Sequence, residues 1–229
     1  MTLAEKAYEA LRHDIIRGEL APGRPLRLAD LSKRYGMGFS PLREALNRLH
    51  AELLVTAESL RGFRVAPLSL EELKDAVSTR ILIETDALRS SIELGDDNWA
   101  AGIVSALYAL NLQVARAKAP DGIWALEARH LLFHRALLSA CGSPWKMAFF
   151  ERLYAATERY RIPVLLNASL PVSRDVQAEH GALAEATLDR DADKACALLT
   201  EHYLRTVEGI SNAIDRNELT TVPAKTAAL

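Results

Sequence analysis

The run Gly36-Met37-Gly38-Phe39-Ser40-Pro41-Leu42-Arg43-Glu44-Ala45-Leu46-Asn47-Arg48-Leu49 constrains this chain more than any other stretch. A glycine-containing break precedes Ser40, a favourable N-cap, and Pro41, whose fixed φ and missing N–H suit the first helical position. The pattern predicts a helix starting there. Leu42, Ala45, Leu46 and Leu49 recur at helical spacing and make one buried face, which leaves Arg43, Asn47 and Arg48 pointing outward. A cation in the first turn opposes the helix dipole by roughly 0.3–1 kcal/mol, so Arg43 makes sense there if it meets a phosphate or a guanine edge. The alternative is an ordinary solvated polar face, and the flanking sequence weighs against it.

Upstream, Leu3, Ala7, Leu11, Ile15 and Ile16 mark an amphipathic helix that runs to about Arg17 and stops at Gly18. Leu20-Ala21-Pro22-Gly23 is a turn, and Arg24-Pro25-Leu26 a short extended piece. A second helix passes through Leu28, Leu31 and Tyr35, with Gly36 in the place of a left-handed C-cap. Two helices joined by so tight a turn form a helix-turn-helix whose second member can enter a major groove. Downstream, Leu54-Val55-Thr56 and Phe63-Arg64-Val65 read as a hairpin with Arg61-Gly62 at its tip, a wing suited to a narrow groove. Lys33 and Arg34, on the second helix, are placed to touch phosphates.

Charge supports this division. Residues 1–66 carry 11 Lys/Arg against 8 Asp/Glu, and residues 67–229 carry 17 against 22, so a basic head precedes an acidic body. Cys141 and Cys196 make no disulfide framework or zinc-ribbon spacing and read as buried apolar residues. No apolar signal core opens the chain and no apolar run is long enough to span a bilayer, so a cytoplasmic protein without membrane spans is expected.

Ala21-Pro22-Gly23, Ser40 to Leu46, Arg48-Leu49 and Arg61-Gly62-Phe63-Arg64-Val65 resemble the winged helix-turn-helix of the GntR family of bacterial transcription regulators. The resemblance covers residues 1–67 and implies contacts to double-stranded DNA from Ser40, Arg43, Arg48, Arg61 and Gly62. It departs at Leu53, where the family usually has glycine, and at Phe39, where a polar or basic residue is common. At Phe39 a thymine methyl or a sugar is the better contact.

From Ser69, a cap ahead of Glu71 and Glu72, nearly every segment reads as helix. Expected spans are 70–94, 97–118, 121–141, 144–161, 172–190 and 191–214, broken by Gly95, Pro120, Gly142 to Pro144, Pro163 to Pro171 and Asp189 to Asp193. The fold class is therefore mainly α. It comprises a winged helix-turn-helix over 1–67, an all-α bundle over 68–215 and a loose tail over 216–229.

Within the bundle, His130 and His134 share one helix face, His180 lies on a later helix and His202 on the last. Side chains from three helices can converge on a metal in a bundle core, with Glu127 on the same stripe as a further ligand or a hydrogen-bonding partner. Four unrelated histidines are the plain alternative. Arg80-Ile81-Leu82-Ile83-Glu84, His130 to His134, Cys141-Gly142-Ser143-Pro144, Glu179-His180 and Glu201-His202 resemble the all-helical (FCD) effector domain of the FadR-type branch of that family. Many members hold a divalent metal through one carboxylate or amide and three histidines. Here the histidines map to His134, His180 and His202, and His130 stands at the carboxylate position. Four imidazoles suit Zn²⁺ or Ni²⁺. The resemblance also makes Arg80 the partner of an effector carboxylate, against the alternative of an ion pair with Glu84 one turn on. Arg159, Tyr160 and Arg161 are weaker candidates for the same pocket, and a polar helix face over Tyr154 to Arg161 is the better reading of that run.

The expectation is thus a homodimeric repressor that binds an operator and senses a small organic acid. A metal-dependent hydrolase is the competing class. Against it stand the absence of a His-Glu-x-x-His helix, a nucleophile elbow or a phosphate loop, and a head it would leave unexplained.

Overall fold

Thr2 starts the first helix. Its hydroxyl accepts from the Glu5 amide at 3.1 Å while the Glu5 carboxylate accepts from the Thr2 amide at 2.6 Å, a reciprocal cap. The computed structural model describes residues 1–58, 62–116, 122–166 and 174–216. The wing-tip Arg61 and nearly all of the expected tail, 217–229, lie outside the described residues, as do 117–121 and 167–173.

In the head, α1 (Leu3–Ile16) packs across α3 (Phe39–Ala51), with α2 (Leu28–Tyr35) between them in sequence. Gly36 takes a left-handed conformation, φ 64°, and closes α2 as a glycine there should. The expected start of α3 is corrected by two residues: Gly38 is the N-cap, without a side-chain bond, and Phe39 is already helical. Ser40 and Pro41 therefore lie within the first turn. Pro41 fits there because first-turn N–H groups have no partner within the helix. The wing has three strands, not two. β2 (Val55–Glu58) pairs with β3 (Gly62–Val65), Val55 opposite Val65, and the short β1 (Pro25–Leu26) adds on the far side of β3. Tyr8, Leu11, Leu31, Leu42, Leu46, Leu49, Leu54 and Val65 close one apolar core.

The body follows the expected helical series with adjusted ends: α4 (Leu70–Leu94), α5 (Asp97–Arg116), α6 (Gly122–Leu138), α7 (Pro144–Leu166), α8 (Val176–Leu188) and α9 (Ala192–Asp215). Ser69 caps α4 as anticipated, and Asp175 and Asp191 cap α8 and α9. Pro163 does not end α7, which continues to Leu166. A proline costs one rung of the ladder. Ile162, fully buried against Ile16 and Ile123, helps hold the chain helical beside it. α4 packs on α7 and α9, and α5 on α6 and α8, around a second apolar core that includes Leu73, Leu88, Phe133, Phe150 and Leu199. Among the described residues no helix is long and apolar enough to cross a membrane.

Candidate DNA-binding face and candidate metal centre

The buried stripe of α3 turns Phe39, Ser40, Arg43, Glu44, Asn47 and Arg48 outward, so the α3 residues singled out for DNA contact are all exposed. Arg48 is braced from behind: its guanidinium lies 3.7 Å from the centre of the Tyr8 ring, and its Nε is 3.4 Å from the Glu52 carboxylate. Lys33 is exposed on α2. Arg34 is engaged by Asp14 at 2.5 Å and Glu19 at 2.7 Å, so a phosphate would have to compete with two carboxylates for it. Gly62 opens β3 at φ 85°, a left-handed conformation that a side chain would strain.

In the body the four histidines that spacing placed on three helices do meet. Each of His130, His134, His180 and His202 offers a nitrogen, and all four nitrogens lie within 4.8 Å of one another. Three of the rings are turned by neighbours that sequence spacing did not single out for that work. Tyr154 of α7 donates its hydroxyl proton to Glu127 at 2.6 Å, so it accepts from Nδ1 of His130 at 2.7 Å. Tyr203 of α9 donates to Glu84 at 2.5 Å and lies 3.2 Å from Nδ1 of His134. Nδ1 of His202 donates to the Glu179 carboxylate at 2.9 Å. Each arrangement leaves Nε2 with its lone pair pointing inward, the usual outer-shell control of a metal-binding imidazole.

Two observations fit this donor set to an ion. The Nε2 atoms of His130 and His134 face each other at 3.1 Å, close to the roughly 3.3 Å between two ligands of one tetrahedral Zn²⁺ at 2.0–2.1 Å. Two lone pairs so close repel unless a cation or a proton lies between them. Nε2 of His180 is buried without a hydrogen-bond partner among the described residues. Burial pushes all four imidazoles below their ordinary pKa, and neighbouring imidazoles add to the effect at His130, His134 and His180, so the rings stay neutral and ready to ligate. Burial alone would raise the Glu179 carboxyl. Hydrogen bonds from Arg174 and His202 outweigh it and hold that group below its ordinary value, keeping an anion behind His202.

Glu127, expected as a ligand or ligand partner, reaches His130 through Tyr154, with a direct separation of 3.9 Å. Arg80 is 3% exposed, and each of its three guanidinium nitrogens has a partner: Nε donates to Glu84 at 2.7 Å, and the two Nη atoms donate to the hydroxyls of Thr157 and Tyr203 at 3.0 Å each. The Glu84 pair weighed as the alternative for Arg80 is thus present. Arg80 also lines a cavity of about 20 Å³, with Thr157, Arg161, His130, His202 and Tyr203 around it. Arg161 pairs with Glu127, and its Nε is buried without a partner among the described residues. Arg159 and Tyr160 face elsewhere, toward Glu72. His13 of α1 is half-buried against Trp124, ring centres 4.6 Å apart.

A three-helix head with a β-wing, joined to a helical bundle built around a histidine cluster, defines a class of two-part DNA-binding regulators. Residues 3–65 match the family described as "Bacterial regulatory proteins, gntR family", and residues 75–205 match the FCD domain. The chain belongs to the GntR family of bacterial transcription regulators and carries an FCD domain. It is 39% identical to the uncharacterized HTH-type transcriptional regulator BphR of Paraburkholderia xenovorans (strain LB400) over 88% of this chain and 82% of that protein. It is 35% identical to the HTH-type transcriptional repressor GlaR of Escherichia coli (strain K12) over 92% and 96%. The fold is similar to that of E. coli McbR/YncC, with a TM-score of 0.74, 20% identity, and coverage of 93% and 99%. The family and the relatives BphR and GlaR are transcriptional regulators and not enzymes, so the hydrolase reading is set aside.

Proposed function

We propose that this chain is a cytoplasmic, homodimeric repressor whose operator affinity is set by a small carboxylate effector bound beside a divalent metal, Zn²⁺ or Ni²⁺, in its helical domain. In this reading residues 1–67 are the DNA-binding domain, 68–215 the effector and dimerisation domain, and 216–229 a tail. Ser40, Arg43 and Arg48 read the operator, Arg61 and Gly62 enter the adjacent groove, and Lys33 and Arg34 touch phosphates. Two heads of a dimer would present their α3 helices about 34–36 Å apart to half-sites one turn apart. The likeness to a protein named as a repressor supports repression over activation.

His130, His134, His180 and His202 would hold the ion, which when bound supplies a Lewis-acidic anchor for an oxygen ligand. Glu84, Glu179, Tyr154 and Tyr203 orient those rings. Arg80 would receive the acid group, exchanging its bonds to the Thr157 and Tyr203 hydroxyls for stronger bonds to a carboxylate. The observation that carries this reading is the convergence of four neutral, aimed imidazoles next to an arginine-lined cavity.

A thermal-shift series of mono- and dicarboxylates, acetate to adipate, on metal-loaded protein tests it. At least one acid should raise Tm by several degrees in the wild type, since a ligand at about 100 times its Kd adds roughly 2.7 kcal/mol to stability. Arg80→Ala should lose that shift while retaining the metal. A variant that kept the full shift would place the carboxylate elsewhere.

A further inference from the structure

One turn of α7 faces two ways. Thr157 and Arg161, four residues apart, line the cavity; Thr157 accepts from Arg80 and Arg161 pairs with Glu127. Glu158 and Ile162, the next positions on the same turn, face α1 of the head. Glu158 is 5% exposed and is paired with Arg12, and Ile162 is packed with Ile16 and Ile123. His13 on Trp124 extends the contact between head and body. From Arg12, α1 leads directly to the DNA-facing helix. Tyr8, one turn earlier, donates to Glu52 at 2.8 Å and carries the Arg48 guanidinium over its ring.

We infer that the Arg12–Glu158 ion pair, seated on the Ile16–Ile162 contact, is a latch through which α7 reports the state of the cavity to the recognition helix. The inference rests on the cavity being the effector site. A cavity of about 20 Å³ holds about one water, so an organic acid enters only if the walls move. The α7 wall is made of side chains on a helix whose adjacent stripe holds the head, and a helix shifts as a unit. Displacing Thr157 and Arg161 therefore displaces Glu158 and Ile162. A partly buried ion pair across a packed contact is either made or broken, which gives the two discrete arrangements that coupling requires. Burial pushes the Glu158 carboxyl up to about 7 despite the adjacent guanidinium. The latched arrangement is the effector-free one, the state in which a repressor holds its operator.

The test uses full-length protein and an operator duplex selected from a random library by the wild type, with affinity read by fluorescence anisotropy without added effector. Glu158→Gln, a near-isosteric change in the body, should weaken operator binding about 5-fold or more, and add nothing further in an Arg12→Met background. Thr157→Val, on the cavity side, should alter operator affinity in the wild type and be silent once Arg12 is replaced. The charge-swapped pair Arg12→Glu with Glu158→Arg should recover affinity lost in Glu158→Arg alone, which guards against misfolding of the simple variants. Unchanged affinity in Glu158→Gln, or independent effects of the Arg12 and Glu158 replacements, would overturn the latch. The metal content of each variant is measured in parallel. A metal-free wild type would count against the effector-site reading, whereas normal metal with no Arg12–Glu158 coupling would count against the latch alone.

Discussion

Leu53 holds a left-handed conformation, φ 63°, at the turn that follows α3, with its side chain half exposed. This is a position where the sequence departs from the glycine usual in the family, and the backbone shows why glycine suits it. An L-residue costs about 1–2 kcal/mol there, partly offset by the greater chain entropy glycine loses on folding. Leu53→Gly should therefore stabilise the protein by about 0.5–1 kcal/mol, read as a higher denaturation midpoint with an unchanged m-value. A lower midpoint would mean that the Leu53 side chain contributes more than its strained backbone costs. His130 is the other informative departure. At a position where the resemblance implies a carboxylate, it adds a fourth imidazole that Tyr154 and Glu127 turn toward the other three.

At the scale of elements, α3 carries the most direct functional consequence. Arg43 is exposed in its first turns, on the face opposite Leu42, Ala45, Leu46 and Leu49. Arg43→Ala should abolish specific retention of an operator in a gel shift while far-ultraviolet circular dichroism is unchanged. Unaltered specific binding would remove α3 from the recognition role. Much of this level was legible in the sequence, because periodicity and caps are local: Ser69, Gly36 and Gly18 stop or start helices where they should. What was not legible depends on contacts across the fold. Gly38 displaced Ser40 as the cap of α3, Pro163 was carried inside α7 beside the buried Ile162, and β1 joined the wing only because β3 lies next to it. Spacing brought His130 and His134 onto one face, and the histidines of α8 and α9 joined them. By contrast, the orienting roles of Tyr154, Tyr203 and Glu179 depend on how different helices face one another, which no single periodic stretch encodes.

At the scale of the molecule, the head and a histidine-cored body are in contact through α1 and α7. Four imidazoles kept neutral, three of them buried and two with Nε2 atoms 3.1 Å apart, form a core that an ion would complete. Metal binding that occurs only in the native state should make the body more stable and its loss measurable. The most direct measurement is elemental analysis of purified wild type beside the His134→Ala, His180→Ala double variant. The account predicts about one divalent ion per chain in the wild type and almost none in the variant. Equal metal in both, or none in either after incubation with Zn²⁺ or Ni²⁺, would contradict it.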